Sequence, residues 1–255
     1  MKRILFVILI LLLSILGMTQ NAYKLYEKGV KFYNKGENQK ALELFTRAID
    51  KSKLANAYAY RGYCYYRLDD YKLAMSDFND AIAFSTRQKS WVYNGKGWIY
   101  FYEEEFEKAL SEFENAIEAN TSSGKRGYYF RSYTYKQMDE LELSLKEINR
   151  ALEKTSYRKS ESYTFRGGLY KLMAEYDKAE SDYNKVITLD ASAKNYCNRA
   201  NYFLSINNFD EAKRDIEKAI SIDSNYAYAY YYKGDLLAAI PQQDIFVSLH
   251  CVAGN

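Results

Sequence analysis

The residue types that carry most enzyme chemistry are sparse in this 255-residue chain: one histidine, His250, three cysteines, and short acidic runs such as Asp69-Asp70, Glu103-Glu104-Glu105 and Asp139-Glu140. A Ser-His-Asp hydrolase needs its imidazole beside the nucleophile, yet His250 stands in a terminal stretch unlike the rest of the chain. The sequence contains no glycine-rich phosphate loop and no paired metal-ligand motif. Adjacent carboxylates can share general acid–base work. Each run here falls between two apolar-patterned segments, where acids favour the positive N-terminal end of the following helix. The chain is read as a non-enzyme with no catalytic residue, no metal and no cofactor. Cys64 and Cys197 fall in the second and sixth of the repeats described next, tens of ångströms apart if helices pack 8 to 10 Å apart. A disulfide tolerates about 7 Å between Cα atoms, so both are expected as free thiols.

The elements that would have to position any site repeat. Seven times a Tyr or Leu is followed three residues later by Lys or Arg and then a small residue: Leu25/Lys28/Gly29, Tyr58/Arg61/Gly62, Tyr93/Lys96/Gly97, Tyr128/Arg131/Ser132, Tyr163/Arg166/Gly167, Tyr196/Arg199/Ala200 and Tyr230/Lys233/Gly234. The small residues are spaced by 33, 35, 35, 35, 33 and 34 positions. After each of the first six comes a second pattern, as in Tyr71-x-x-Ala74, Phe78, Ala81-Ile82 and Phe106-x-x-Ala109, Phe113, Ala116-Ile117. Spacings of three, four and seven put these residues on one helical face. A single Pro and helical spacing throughout make the chain all-α. Small residues allow close backbone approach while rings fill the space beside them. A fixed period of this length signals a solenoid, an interaction surface.

Net charge is +3, and two of those charges, Lys2 and Arg3, precede an apolar run from Ile4 to Leu16. As a helix that run spans about 20 Å, short of the ~30 Å hydrocarbon core of a bilayer. Residues 1–19 are read as a secretory signal peptide cleaved after Thr19, the alternative being an uncleaved membrane anchor. Removal leaves a net charge of +1, too little for a broad field toward nucleic acid. The protein is therefore expected outside the cytoplasm, periplasmic or secreted, with any membrane contact through the N-terminal segment alone.

Residues 22–238 resemble the tetratricopeptide repeat family. With each repeat written as 34 places, the family's small residue at place 8, aromatic at 11, Ala at 20, aromatic at 24 and Ala at 27 fall on Gly62, Tyr65, Ala74, Phe78 and Ala81, and again on Gly97, Tyr100, Ala109, Phe113 and Ala116. The Pro often found at place 32 is absent. The resemblance implies a right-handed superhelical solenoid of about six helix hairpins plus a partial seventh, whose first helices line a concave groove with places 2, 5, 9, 12 and 13.

Bases at place 7 and acids at place 23 recur together, as in Arg61 with Asp77, Lys96 with Glu112, Arg131 with Glu147, Arg166 with Asp182 and Arg199 with Asp215. They are expected to form ion pairs, within a repeat or between neighbouring repeats. Of 28 tyrosines, thirteen sit at core places and fifteen, Tyr202 among them, remain; ten of these fall at the groove places. The resulting candidate site for a peptide or partner helix is Tyr63, Tyr66, Trp98, Phe101, Tyr129 and Tyr133. Tyr and Trp bring rigid area with a polar tip and dominate binding hot spots. The Lys and Asn set by which some family members clamp acidic chaperone C-termini is replaced here by Tyr26, Val30, Tyr60, Trp91 and Gly95.

Residues 239–255 break the pattern. They hold the only Pro and the only His, and Phe246 stands where a second helix needs Ala. Such a tail would close a solenoid poorly. The function expected is a protein–protein interaction scaffold binding a peptide or helix in an aromatic groove. The alternative is the sensory or docking portion of a larger signalling protein whose effector lies elsewhere.

Overall fold

The structure is a computed structural model that describes residues 2–85 and 90–252, without the side chains of residues 2, 3, 5, 10–12, 15 and 240–252. Among the described residues every regular element is helical: α1 (Lys2–Asn34), α2 (Asn38–Lys51), α3 (Ala55–Arg67), α4 (Tyr71–Ala83), α5 (Ser90–Tyr102), α6 (Phe106–Glu118), α7 (Gly127–Gln137), α8 (Leu141–Lys154), α9 (Lys159–Leu172), α10 (Tyr176–Leu189), α11 (Ala193–Ser205), α12 (Phe209–Ile222) and α13 (Ala227–Val252). A 3-10 turn, Gly124–Arg126, precedes α7. Two compact bodies divide the chain, residues 1–138 and 139–255. In the first, α1/α2, α3/α4 and α5/α6 form hairpins that stack in order, with α7 against α6 and the first helices α1, α3, α5 and α7 side by side. In the second, α9/α10 and α11/α12 are hairpins, α8 packs on α9, and α13 on α11 and α12.

The close approach inside each hairpin follows from the small residue. A β-carbon on Gly29 would stand 2.6 Å from the Phe45 ring, and one on Gly62 would stand 2.8 Å from Phe78. Gly97 meets Phe113 in the same way, and Gly167 meets Tyr183 at 3.2 Å. Ala41, Ala48, Ala74, Ala81, Ala109 and Ala116 are fully buried beside these rings. The phased positions face the core.

The turn inside each hairpin carries a feature the sequence reading lacked. Place 15 is left-handed in all six complete repeats: Gly36 (φ 78°), Asp69 (60°), Glu104 (60°), Asp139 (62°), Ala174 (58°) and Asn207 (59°). The chain reverses through paired bonds, as where Asp70 N–H donates to the Tyr65 carbonyl and Asp69 N–H to that of Tyr66. Only Gly36 adopts this conformation at no steric cost. The acid that follows acts as a helix start: Asp70 accepts from the Leu73 N–H at 3.2 Å, and Glu37 pairs with Lys40 at 2.6 Å, which lowers its pKa.

The place-7 base is a staple. Arg61 Nε and Nη2 donate to both oxygens of Asp77 at 2.8 and 2.7 Å, and Arg166 to Asp182 and Arg199 to Asp215 have the same two-pronged geometry. The remaining nitrogen reaches back to place 25 of the preceding repeat: Arg61 to Thr46 at 3.2 Å, Arg166 to Asn149 and Arg199 to Asn184 at 2.7 Å. Arg131 likewise reaches Glu114, while Glu147 takes Arg150 at 2.8 Å, and Lys96 holds Glu112 at 2.7 Å. The Tyr three residues earlier lies against the guanidinium, 5.5 Å for Tyr58, 5.3 Å for Tyr163 and 5.8 Å for Tyr196. The recurring Tyr-x-x-Arg phrase is therefore a cation–π support for a buried ion pair.

From the second repeat onward place 10 forms a further buried row: Cys64, Ile99, Thr134, Leu169, Tyr202 and Leu236 are all under 5 % exposed. Tyr202, left outside the core set by its sequence position, belongs to the core. It stacks on Tyr183 with centroids 5.1 Å apart and donates to the Tyr176 carbonyl at 2.9 Å. Cys64 and Cys197 are buried free thiols, and burial pushes them up to about 12 and about 11. At the start of the chain, Ile4, Phe6, Val7, Leu13 and Leu16 of α1 are exposed. At its end, α13 continues as one helix past Pro241 to Val252 instead of turning back. The side chains of Phe246 and His250 lie outside the described residues.

Candidate functional site

The six rings singled out from the sequence stand on three neighbouring first helices of the N-terminal body: Tyr63 and Tyr66 on α3, Trp98 and Phe101 on α5, Tyr129 and Tyr133 on α7. They rise directly from the hairpin core. Tyr63 meets Phe78 edge-on at 4.9 Å, and Trp98 meets Phe113 at 5.9 Å and Phe130 at 5.1 Å. Rings seated on core rings are positioned by packing, so little side-chain freedom remains to be lost on binding a ligand.

Within the six, Tyr63 meets Tyr66 at 6.3 Å, Trp98 meets Phe101 at 5.1 Å, and Tyr133 meets both Trp98 (6.2 Å) and Phe101 (5.7 Å). The two groups are joined by Tyr102, a place-13 residue absent from the selected six: it lies 6.3 Å from Tyr66 and 5.9 Å from Trp98. With 55 % of its surface open, Tyr102 is the most exposed ring of the set, and Tyr133 follows at 36 %. Place 13 was the signal that could have found it. Phe101 is buried beneath Trp98, Tyr102 and Tyr133 and supports them. Tyr129 meets Phe130 at 5.9 Å.

Toward α1 the rings continue through Trp91, which stacks on Tyr63 at 5.4 Å with planes 9° apart. The Tyr63 hydroxyl donates to the Trp91 carbonyl, and Gly95 leaves space for that hydroxyl, since a β-carbon there would stand 2.9 Å from it. Tyr60 links Trp91 (5.2 Å) to Tyr33 (5.2 Å) and Tyr26 (5.8 Å). Burial, with neighbouring phenols, raises the pKa of Tyr66, and burial pushes Tyr26 up to about 12. Tyr66 and Tyr26 are thereby kept as neutral phenols at physiological pH, and the cation Arg67, at place 13 of α3, lies over the Tyr33 ring at 3.9 Å. Among the described residues no group of three or more His, Cys, Asp or Glu could hold a metal ion. The chemistry on offer is shape, stacking and hydrogen bonding.

A tetratricopeptide repeat family model matches residues 26–89, and a second matches residues 92–122, 160–192 and 193–226. No curated protein matches the chain. Among solved structures, PilF of Pseudomonas aeruginosa is similar over 86% of this chain and 99% of its own, with a TM-score of 0.69 at 14% identity. A tetratricopeptide repeat protein from Parabacteroides merdae covers 88% of this chain and 89% of its own, with a TM-score of 0.66 at 22% identity. YrrB, described as a TPR protein with an unusual peptide-binding site, covers 74% of this chain and 97% of its own, with a TM-score of 0.53 at 21% identity. At these identities the likeness is one of fold.

Proposed function

Because this chain belongs to the tetratricopeptide repeat family, we propose that it is a scaffold that holds a peptide or helix of another protein against the aromatic face of α3, α5 and α7. Proteins of this family bind protein or peptide partners, and the fold here is of that kind. The observation that carries the finer reading is the run of rings from Tyr63 to Tyr133, continuous through Tyr102, fixed on the core and open on one side. Rigid aromatic anchors with polar tips are the residues on which interface energy concentrates. YrrB, a structural relative, is itself described as having a peptide-binding site.

The setting we infer is extracytoplasmic. Its support is the basic start, the apolar run from Ile4 to Leu16, and the exposure of Ile4, Phe6, Val7, Leu13 and Leu16 on α1, which leaves them available to an export machinery or a bilayer. Both elements of the proposal are tested in one experiment: crosslinking in the cell envelope, with identification of the captured protein and of the N-terminal residue of the mature chain. A captured envelope protein, lost on Trp98→Ala with the helical content unchanged, is the expected result. A cytosolic partner with Met1 retained would overturn the setting, and capture indifferent to Trp98→Ala would overturn the site.

A further inference from the structure

In the N-terminal body three places come together beside a hairpin turn: place 12 of a first helix, place 17 of the second helix, and place 13 of the next first helix. In the first repeat these are Tyr33, Asn38 and Arg67. There the Arg67 guanidinium lies over the Tyr33 ring at 3.9 Å, donating to the Tyr33 carbonyl at 3.1 Å and to Asn38 Oδ1 at 3.4 Å. In the second repeat the same places are Tyr66, Tyr71 and Tyr102. Their ring centroids form a triangle with sides of 5.9, 6.3 and 6.2 Å. No other repeat puts three rings there. Tyr102 stands where the preceding repeat has its arginine, and among the described residues no Lys or Arg lies over any of the three rings.

The triangle is open and its rim is acidic. Tyr102 is exposed and Tyr66 and Tyr71 are half-buried, while Asp69 and Glu103, from the turns after α3 and α5, are exposed beside them. The Tyr71 hydroxyl donates to Asp69 Oδ1 at 3.2 Å. Burial, then the Asp69 carboxylate and, more weakly, Glu103 raise the Tyr71 pKa, so both acids act at this ring. Ring faces attract a cation held within about 6 Å of the centroid. Other rings of the chain already have one, as where Lys108 lies over Tyr100 and Lys178 over Tyr170. A guanidinium, planar and weakly hydrated, stacks on aromatic faces better than a compact ammonium.

On the reading of α3, α5 and α7 as the binding face, we propose that Tyr66, Tyr71 and Tyr102 form a cage for an arginine side chain of the segment held there. Charge complementarity selects this group: three ring faces and two carboxylates attract a cation, and Arg67 on Tyr33 shows the fit one repeat earlier. An acidic side chain would be repelled by Asp69 and Glu103, and an apolar one would gain nothing from either.

The test titrates acetyl-arginine amide into the full chain carrying isotopically labelled tyrosine rings, read by NMR, with acetyl-citrulline amide as the neutral isostere and acetyl-lysine amide as the compact cation. Saturable shifts are expected at Tyr66, Tyr71 and Tyr102, assigned with their Tyr→Phe variants, for arginine, more weakly for lysine, and not for citrulline. Tyr102→Ala, at an exposed position, weakens arginine binding about two- to fivefold, the loss of one ring–cation contact, and Tyr102→Phe retains it. Tyr102→Arg recreates the arrangement of the first repeat and is expected to abolish binding with circular dichroism unchanged. Absence of saturable shifts, or equal shifts with citrulline, overturns the cage. A captured partner that is lost on Trp98→Ala but binds Tyr102→Arg unchanged overturns the proposal and leaves the aromatic face standing. Arginine binding at the three rings, with capture indifferent to both variants, removes the face and with it the partner's arginine.

Discussion

The first helices of the two bodies share one framework and differ in what they display. On α3, α5 and α7, places 5, 9, 12 and 13 hold seven rings among twelve residues, Tyr63, Tyr66, Trp98, Phe101, Tyr102, Tyr129 and Tyr133, with Ala59, Arg67, Asn94, Lys136 and Gln137 at the others; on α9 and α11 the same places hold no ring: Thr164, Gly168, Lys171 and Leu172, then Cys197, Asn201, Leu204 and Ser205. The staples show no such contrast: Arg61–Asp77 in one body and Arg166–Asp182 and Arg199–Asp215 in the other are alike to within 0.1 Å at each prong. Folding therefore demands the staple in both bodies and does not demand the rings. A set of aromatic residues that the scaffold can do without is explained by what it meets.

Breaking the shared element should have the largest effect and strike both bodies alike. Arg166→Ala leaves Asp182 buried without its partner, as Arg61→Ala leaves Asp77, and each is expected to cost about 3 to 5 kcal/mol in urea unfolding. A loss confined to one variant would show that the staples are not equivalent. The differing element is expected to separate the bodies. Trp98→Ala should weaken a recovered partner by about 2 kcal/mol or more by calorimetry, and Asn201→Ala, at the same place of α11, should leave it unchanged. Next comes close helix approach. Gly97→Ala forces the Phe113 ring away and should destabilise by about 1 to 3 kcal/mol in the same urea assay. The smallest effect has the opposite sign. Ala174→Gly and Glu104→Gly relieve left-handed backbone, one in each body, and should each stabilise by up to about 1 kcal/mol.

Alkaline pH tests the aromatic face as a packed surface. Folding raises the Tyr26 phenol from 10.0 to about 12, chiefly by burial. A group raised in this way contributes stability that is fully present below its unfolded pKa and is lost as pH rises through the folded one. Stability should therefore fall between pH 10 and about 12, with part of the tyrosinate absorbance appearing only in that window. A single absorbance step centred on 10 would show that the rings are solvated.

The fold was legible because its constraints are spatially periodic and chemically uniform. Gly62, Ala74, Phe78 and Ala81 recur as the same kinds of residue at the same places, and the acids and bases of the staples recur with them. Buried rows without a common chemistry stayed hidden. From the second repeat on, place 10 is Cys64, Ile99, Thr134, Leu169, Tyr202 and Leu236, a series that no single residue type marks, and Tyr202 stayed outside the core set for that reason. The left-handed turns were obscured because five of the six residues there are not glycine. Of the candidate site, the helices and most rings were readable from their places. Tyr102 as the link and Phe101 as a support were not, because both depend on how far each ring leans along its helix, which spacing does not specify.

Arg61, Arg166 and Arg199 each stand 16 residues from the acid they hold in their own repeat, but 15 or 17 residues from the oxygen they grip behind them. The two-residue difference matches the 33- and 35-residue steps between repeats. The length differences among the repeats of this chain thus fall in the joints between hairpins, and a laboratory graft or loop insertion should be welcomed at those joints and refused inside a hairpin.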